Sequence, residues 1–307
     1  MRKPRALRPG DRIAVVAPAS AFDREAFDAG VAELRGLGFE VTYDDRIFER
    51  RRYLAGTPQT RAAVFQEAWS DPRVAALVAA RGGYGSVQVL PLLPRDLFVG
   101  RPKPFIGYSD NTSLLTWLTL THGIVSFHGP MLEGRFARGR IAYDRDTFDR
   151  CLRRAEPAGL VTAPSVEPLR PGEASGLLVG GTITQLVASL GTPYAFDPPQ
   201  GSVLFLEDVG ERPYRIDRML TQLTLAGILG RASALVFGEM VGCDEPGGDP
   251  TVHDVVADFV AEFPGPVLYG LPSGHTSGPT LTLPFGVEAR VVSSQTPGVV
   301  IEEAAVL

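Results

Sequence analysis

Short apolar runs alternate with helical patterns along the first half of the chain. Five of these runs are typical of buried strands, namely residues 12–18, 39–43, 74–80, 105–106 and 124–127. Between them, apolar residues recur at helical spacing, as Phe27, Val31 and Leu34 do. Strands that alternate with helices predict an α/β fold with a parallel sheet covered on both faces. The ligand crevice of such a sheet lies beyond the carboxyl ends of its strands.

The pattern weakens between Gly134 and Pro171 and then changes character. A charged helix over residues 143–155 is followed there by proline-containing connections. Farther on, strands and helices are mixed, and three strand patterns close the chain without helices between them, which indicates an antiparallel finish. We therefore predict three parts: an N-terminal parallel-sheet domain over residues 1–145, a linker over 146–170 and a mixed C-terminal domain over 171–307.

Composition narrows the possible classes of function. Of the 307 residues 44% are hydrophobic, so a packed core is expected, and the net charge of −5 offers no basic surface for nucleic acid. The two cysteines, Cys151 and Cys243, lack a metal-binding spacing and fit a reducing compartment. No apolar stretch has the length of a signal-peptide core or a membrane span. We expect a soluble, cytoplasmic protein.

A candidate nucleophile follows the apolar run at residues 105–106. That run stops at a glycine, and Ser109 comes just before a helical pattern over residues 110–121. A strand that turns sharply into a helix presents its turn side chain outside the sheet and leaves N–H groups unpaired at the helix start. The hydrolase motif G-x-S-x-G is matched incompletely, because Asn111 stands at its fifth position. Alone, the stretch favours a plain helix that Ser109 or Asp110 caps.

The four histidines differ in how well a structural role explains them. His122 lies at a predicted helix end and His253 at a helix start, where structural explanations suffice. His128 follows a strand end, and there a structural role and a site role fit equally. His275 lies in a polar loop directly after a strand, where no core has to be filled, so a polar role is indicated most strongly there.

Two carboxylates, Glu207 and Asp208, directly follow an apolar strand pattern at residues 202–206. Alone, they indicate an exposed strand end. Together with Ser109 and His275 they permit another interpretation, because a serine needs a base to take its proton and the base needs a third group to fix its tautomer. The chain order serine, acid, histidine is one that such triads use.

The glycine pair Gly82-Gly83 predicts a turn whose backbone can approach a ligand closely. An N–H of this pair, together with that of Asp110, would suit an oxyanion. A plain tight turn and a phosphate loop are the alternatives, although neither nucleotide-binding glycine motif is matched. No H-E-x-x-H or paired-cysteine motif indicates a metal.

Taken in order, these motifs resemble those of the LD-carboxypeptidases, a family of serine peptidases that also includes the microcin C self-immunity peptidases. The resemblance covers most of the chain. It rests on residues 9–18, 81–85, 107–110, 127–130, 180–182, 206–208, 214–218 and 270–275. Each motif alone is weak, and their common order makes the resemblance specific.

The resemblance implies a catalytic triad. Ser109 would be the nucleophile, His275 the general base and Glu207 the acid that orients it. The offset of 68 positions from Glu207 to His275 is similar to the family's spacing, which favours Glu207 over Asp208 and Glu211.

The resemblance also implies the fold and the surroundings of the triad. The oxyanion would be bound by backbone N–H groups of Asp110 and of Gly82 or Gly83. The fold would be a flavodoxin-like or Rossmann-like N-terminal domain with a swivelling C-terminal β/α domain that includes antiparallel strands. The cleft would lie between the domains of a homodimer. No metal or organic cofactor is implied.

The implied reaction cleaves the amide bond before a terminal D-alanine in muropeptides, during cell-wall recycling. Such an enzyme must bind the terminal carboxylate of its substrate, and Arg81, Arg212 and Arg215 are candidates, with Arg215 equally explained by structure. Tyr108 and His128 are further candidates for substrate contact.

Two other functions stay open. A microcin-type immunity peptidase would cleave aminoacyl or peptidyl adenylate analogues and resembles a site with a tryptophan platform between the domains. Only Trp69 and Trp117 are present, both on predicted helices of the first domain, which favours muropeptides. A non-catalytic small-ligand-binding protein would explain the crevice and the glycine turn, but not a serine, a glutamate and a histidine at three strand ends.

Overall fold

The structure, a computed structural model, describes residues 1–293 and 295–307. Within these residues the chain forms fourteen strands and seven α-helices. The strands are β1 Arg12–Val16, β2 Glu40–Thr42, β3 Val74–Ala79, β4 Phe105–Gly107, β5 Ser126–His128, β6 Pro157–Val161, β7 Glu167–Arg170, β8 Glu173–Thr182, β9 Ser202–Glu207, β10 Ala232–Phe237, β11 Val267–Tyr269, β12 Leu283–Phe285, β13 Glu288–Val292 and β14 Gly298–Ala304. The helices are α1 Arg24–Gly36, α2 Pro58–Ser70, α3 Thr112–Thr116, α4 Arg145–Arg153, α5 Ile183–Ser189, α6 Pro213–Leu225 and α7 Val252–Phe259.

The first sheet has the strand order β12-β5-β4-β3-β1-β2. Its first five strands along the chain are parallel in the order 2-1-3-4-5, which is the flavodoxin-like arrangement. Nearly continuous apolar runs form these strands because helices cover both faces of the sheet. The predicted parallel N-terminal sheet is confirmed.

The second sheet has the order β6-β14-β13-β8-β9-β10-β11-β7. Its centre, from β8 to β11, is parallel, and the strands on both flanks are antiparallel. Helices α5, α6 and α7 pack around a separate apolar cluster against this centre. The mixed second sheet that the sequence predicted is confirmed.

Three edge strands do not follow the predicted division of the chain. Strand β12, from the last part of the chain, pairs with β5 and so extends the first sheet. Strands β6 and β7, which fall in the predicted linker, form the two edges of the second sheet. The division into residues 1–145, 146–170 and 171–307 stays a prediction.

One apolar core joins the two sheets. It contains residues of the first sheet, such as Phe105 and Phe127, and residues of the second, such as Phe205 and Leu268. Because interiors pack as densely as organic crystals, a shared core fixes the two sheets relative to each other. The carboxyl ends of β4, β5 and β9 therefore meet in a defined geometry.

In the part of the chain that the structure describes, no helix is long and apolar enough to cross a membrane.

Candidate active site

The turn after β4 holds Ser109 in a strained backbone conformation. Its φ is 62°, in the left-handed region that non-glycine residues rarely adopt. Such a residue costs about 1–3 kcal/mol and persists only where its surroundings enforce it. The predicted helix after the turn is continuous but irregular, with a 3₁₀ turn at Ser109–Asn111, helix α3 and a π-turn at Trp117–Thr121. A plain helix cap does not need this strain.

The glycine turn after β3 lies against Ser109. A Cβ atom added at Gly82 would be 2.9 Å from Ser109 Oγ and 3.5 Å from the backbone nitrogen of Asp110. Only glycine allows the two turns to approach so closely. The hydroxyl of Ser20 secures the turn by accepting a 3.1 Å hydrogen bond from the Tyr84 N–H. The backbone of Gly82, the Ser109 hydroxyl and the Asp110 N–H therefore share one small space.

The carboxylate of Asp110 supports this arrangement from below. It is buried and accepts a 2.7 Å hydrogen bond from the Ser86 N–H, while the Ser86 hydroxyl donates to the Asp110 carbonyl. Burial raises the pKa of the Asp110 carboxyl, against the hydrogen bonds from Ser86 that lower it. The side chain of Asp110 therefore joins the two turns, and its backbone nitrogen lies close to Gly82.

Asn111 explains why the fifth position of the serine motif holds no glycine. Its Nδ2 donates to the carbonyl of Arg81 at 3.1 Å and to that of Tyr108 at 3.3 Å. The side chain thus connects the glycine turn to the residue before Ser109. A glycine at this position would lose both hydrogen bonds.

The second half of the site is a buried carboxylate paired with a histidine. Glu207 ends β9 with no exposed surface, and its Oε2 lies 2.8 Å from His275 Nδ1. The same oxygen accepts the backbone N–H of His275 at 3.1 Å, and the hydroxyl of Thr182 donates to Oε1. A glutamate that accepts these three donors holds the His275 loop by charge-assisted hydrogen bonds.

Electrostatics fixes the tautomer of His275. Burial raises the pKa of Glu207, but the His275 ring and the hydrogen bonds outweigh it and lower that pKa to about 2. The carboxylate is therefore ionised and accepts only, so the proton of His275 lies on Nδ1 and leaves Nε2 free as a base. Burial lowers the pKa of His275, yet the charge of Glu207 outweighs burial and the net shift is upward.

Two threonines connect the halves. Thr112, in the first turn of α3, accepts the Thr182 N–H at 3.1 Å, and Thr182 in turn donates its hydroxyl to Glu207. Gly181 makes this approach possible, since a Cβ atom there would be 2.6 Å from the Thr112 side chain. The helix that begins at Ser109 is thereby joined to the carboxylate of the second sheet.

Tyr108 precedes the serine in the chain and contacts the histidine through its ring. Its ring meets the His275 ring edge-on, with centroids 5.1 Å apart, and it is almost completely buried. Among the described residues, no hydrogen bond joins the Ser109 hydroxyl to the His275 ring. Catalytic hydrogen bonds often become short only with substrate bound. Tyr108 thus connects the residue Ser109, its neighbour in the chain, with the His275 ring that it contacts.

His128 lies beneath the carboxylate and has no exposed surface. Its Nε2 is 4.0 Å from Glu207 Oε1, and its Nδ1 is 3.0 Å from the Ser273 hydroxyl. Burial lowers the pKa of His128 to about 4, so the ring is neutral at pH 7. His128 therefore contacts Glu207 and Ser273 in the interior and does not reach solvent.

The three arginine candidates lie nearer the surface. Arg81 donates to the Ala21 carbonyl at 3.0 Å and lies 3.6 Å from Glu133. Arg212 pairs with Glu245 at 2.9 Å. The third candidate, Arg215, pairs with Glu211 at 3.2 Å. All three side chains are 45% exposed, so each guanidinium can exchange its partner for a ligand at little cost.

Asp208, the carboxylate beside Glu207, points elsewhere. It accepts the N–H and the hydroxyl of Thr184 at 2.9 and 2.8 Å, at the start of α5. Burial and the neighbouring Glu207 raise its pKa to about 6. Its hydrogen bonds stabilise the helix start and leave the His275 ring to Glu207.

Sequence reasoning missed three supporting residues. Thr182 belongs to a recognised motif, but its bond to Glu207 is not visible in sequence. In the sequence Asn111 is only a mismatch to the serine motif. Arg135 gave no signal at all, and it is buried beside Tyr108 and the His275 loop. In the described ranges, no group of three or more His, Cys, Asp or Glu side chains could hold a metal ion.

A two-domain α/β fold with a strained serine after one strand, connected through Tyr108 and two threonines to a buried carboxylate–histidine pair, is typical of serine hydrolases. The N-terminal domain of LD-carboxypeptidases matches residues 13–129, and the C-terminal domain of LD-carboxypeptidases matches residues 175–291. The chain belongs to the LD-carboxypeptidase family, and is therefore a serine-type carboxypeptidase rather than a non-catalytic binding protein.

Similar proteins support the assignment to this family. The chain is 33% identical to the probable murein peptide carboxypeptidase of Bacillus subtilis, with 97% of this chain and 94% of the relative covered. It matches the muramoyltetrapeptide carboxypeptidase structure from Oxalobacter formigenes with a TM-score of 0.81 at 31% identity, over 94% and 97% of the two chains. The microcin C7 self-immunity protein MccF of Escherichia coli, in complex with aspartyl sulfamoyl adenosine, shares the fold with a TM-score of 0.93 at 24% identity, over all of both chains.

Proposed function

We propose that the protein is a murein tetrapeptide carboxypeptidase that removes the terminal D-alanine through an acyl-enzyme on Ser109. The observation that supports this most is the combination of a strained Ser109 with an ionised Glu207 that holds His275 in the Nδ1–H tautomer. A serine hydrolase needs this division of roles. Neither the strain nor the buried carboxylate has a purpose in a passive binding crevice.

The acylation step follows from the chemistry of these groups. Ser109 Oγ attacks the carbonyl carbon of the L,D-amide while His275 Nε2 takes the hydroxyl proton. The tetrahedral oxyanion accepts hydrogen bonds from the backbone N–H groups of Asp110 and of Gly82 or Gly83. When the intermediate collapses, the C–N bond breaks and His275 returns the proton to the D-alanine amine.

Deacylation repeats the route with water. His275 Nε2 takes a proton from water, whose oxygen attacks the ester carbonyl. The ester bond breaks, the proton returns to Ser109 Oγ, and the shortened peptide leaves with a new carboxylate. Glu207 stays ionised throughout and stabilises the imidazolium that forms in each step.

Muropeptides are favoured over adenylate analogues by the aromatic residues. Both tryptophans are buried, with Trp69 4% and Trp117 5% exposed, so neither can stack on an adenine ring. Two of the named relatives are carboxypeptidases of murein peptides or muramoyltetrapeptides. A terminal carboxylate then needs a cation, and Arg81 is the best-placed candidate because it precedes the Gly82 turn that touches Ser109.

The test uses three substrates and mass spectrometry. We expect a disaccharide tetrapeptide that ends in D-alanine to lose one alanine, and the same compound ending in L-alanine to stay intact. Aspartyl sulfamoyl adenosine should also stay intact. Cleavage of the adenosine compound without release of D-alanine would replace the proposal by an immunity-type peptidase.

We also propose a cytoplasmic homodimer, which native mass spectrometry and cell fractionation would test.

A further inference from the structure

Arg135 is a buried cation without an anionic partner. Only 6% of the residue is exposed, and no carboxylate in the described part of the chain lies within ion-pairing distance of it. Charged side chains are almost never buried this way unless hydrogen bonds compensate for the lost water. The compensation has to come from the groups around the guanidinium.

Neutral oxygens from three segments of the chain compensate for the lost hydration of the guanidinium. Nε donates to a tyrosine hydroxyl at 3.3 Å, and the two terminal nitrogens donate to four carbonyls. These acceptors are Tyr108 Oη, the Ala142 carbonyl at 3.2 Å, the Gly278 carbonyl at 3.1 Å, the Gly274 carbonyl at 2.7 Å and the Thr276 carbonyl at 3.3 Å.

Two of these segments carry opposite halves of the site. Tyr108 directly precedes Ser109, and Gly274 and Thr276 directly flank His275. The guanidinium carbon also lies 5.7 Å from the centre of the Tyr108 ring, whose edge packs on His275. One planar group therefore connects the residue before the serine with both neighbours of the histidine.

We infer that Arg135 is a positioning residue for catalysis, which sets the position of His275 relative to Ser109 by bonding Tyr108 and the His275 loop at once. The inference rests on the proposed roles of Ser109 and His275. Glu207 fixes the tautomer of His275 and one side of its loop, but it makes no bond to the Ser109 side except through Thr182 and Thr112. Arg135 supplies the second connection.

The fork of arginine suits this task in a way that lysine does not. A guanidinium has five N–H donors in one rigid plane, and here the donors reach five oxygens. An ammonium group has three donors around one atom and cannot reach acceptors on both sides. Lysine at this position keeps the charge and loses the geometry, so the two contributions can be separated.

The charge of Arg135 adds an effect that simple packing would not have. The groups that face His275 are Glu207 and Asp208 at the end of β9, Tyr108 after β4, His128 on β5 and Arg135 itself. The two carboxylates raise the pKa of His275, and Arg135 opposes them. Removal of the positive charge should therefore make the imidazole harder to deprotonate.

The experiment compares kcat/KM against pH for Arg135→Lys and Arg135→Met on the D-alanine tetrapeptide. For Arg135→Lys we expect a loss of kcat of about 10–100-fold with the acid limb unmoved, because misplacement by about 1 Å costs that much. For Arg135→Met we expect a similar or larger loss and an acid limb displaced to higher pH. Arg150→Lys is the matched control, since Arg150 also donates to backbone carbonyls, between α4 and β6, and should stay within about twofold of the parent.

A milder variant keeps the test decisive if Arg135→Met does not fold. Tyr108→Phe removes only one acceptor, and the effect of Arg135→Lys should be smaller in that background than in the parent. Additive effects, or an Arg135→Lys enzyme with parental kcat, would overturn the inference. Ser109→Ala separates the two proposals: activity in that variant defeats the proposed function, whereas an inactive Ser109→Ala with a fully active Arg135→Lys defeats only this inference.

Discussion

The two halves of the site are organised by different physical means. Around Ser109 the control is conformational: a positive φ, a glycine turn in contact and backbone N–H groups. Around His275 it is electrostatic: a buried ionised Glu207 with three donors. The backbone of the serine half is strained, whereas the histidine half contains a buried charge. The difference suggests that the serine half can be changed without loss of stability, while the histidine half cannot.

The largest effect should come from Ser109→Ala. We expect activity to fall by about 10⁴–10⁶-fold, because without the hydroxyl no acyl-enzyme forms. Stability should stay within about 0.5 kcal/mol, since alanine keeps the strained backbone and the side chain makes no hydrogen bond in the described structure. Release of D-alanine and urea denaturation measure the two quantities. Turnover above about 1% of the parent would remove Ser109 from the mechanism.

Glu207→Gln should affect both activity and stability. We expect kcat to fall by about 10²–10⁴-fold, because an amide no longer holds the His275 tautomer, and the free energy of unfolding at pH 7 to fall by about 2 kcal/mol. The lowered pKa of Glu207 gives the sign: its stabilisation is complete above the ordinary value near 4.5 and is lost as pH falls towards 2, so the gap to the parent should close there.

A surface glutamate provides the control for that variant. Glu302 pairs with Arg290 at 2.7 Å with about a third of its side chain exposed, so Glu302→Gln should change stability by less than about 1 kcal/mol. If Glu207→Gln is no less stable than Glu302→Gln, the histidine half is not held by charge and the contrast between the halves fails.

The pH profile of kcat/KM should also show the electrostatic control of His275 by Glu207, in enzymes that keep Ser109. The base acts only when His275 is neutral, and its pKa lies above the ordinary 6.5. The acid limb of kcat/KM should therefore have its midpoint above pH 6.5. In Glu207→Gln the burial that lowers the pKa of His275 is opposed only by the more distant charge of Asp208, so the midpoint should move down. An unchanged midpoint in that variant would contradict the assignment of Glu207.

The candidate residues at strand ends could be named from the sequence because strand ends are local. Ser109, Glu207 and His275 each follow an apolar run. The parallel centre of the second sheet brings the ends of β9 and β11 to one edge, and the shared core brings the end of β4 to the same place. Arg135 could not be predicted in this way. Its partners are a hydroxyl and backbone carbonyls, which leave no mark on side-chain pattern, and Gly274 lies 139 residues away. Strand β12 was out of reach for a similar reason, since three residues do not indicate which sheet they join.

The strain at Ser109 was also invisible, because serine is an ordinary turn residue. It yields the smallest prediction and the most direct test of the serine half. Ser109→Gly should raise the free energy of unfolding by about 0.5–1 kcal/mol above Ser109→Ala, because glycine adopts φ near 62° without steric cost and this gain exceeds its larger entropy loss. Thermal unfolding would register the gain as about 1–2 °C.

Ser113→Gly, inside helix α3, is the matched control and should destabilise by about 1 kcal/mol. If both glycine variants lose stability equally, Ser109 carries no strain, and its position must be enforced by contacts alone.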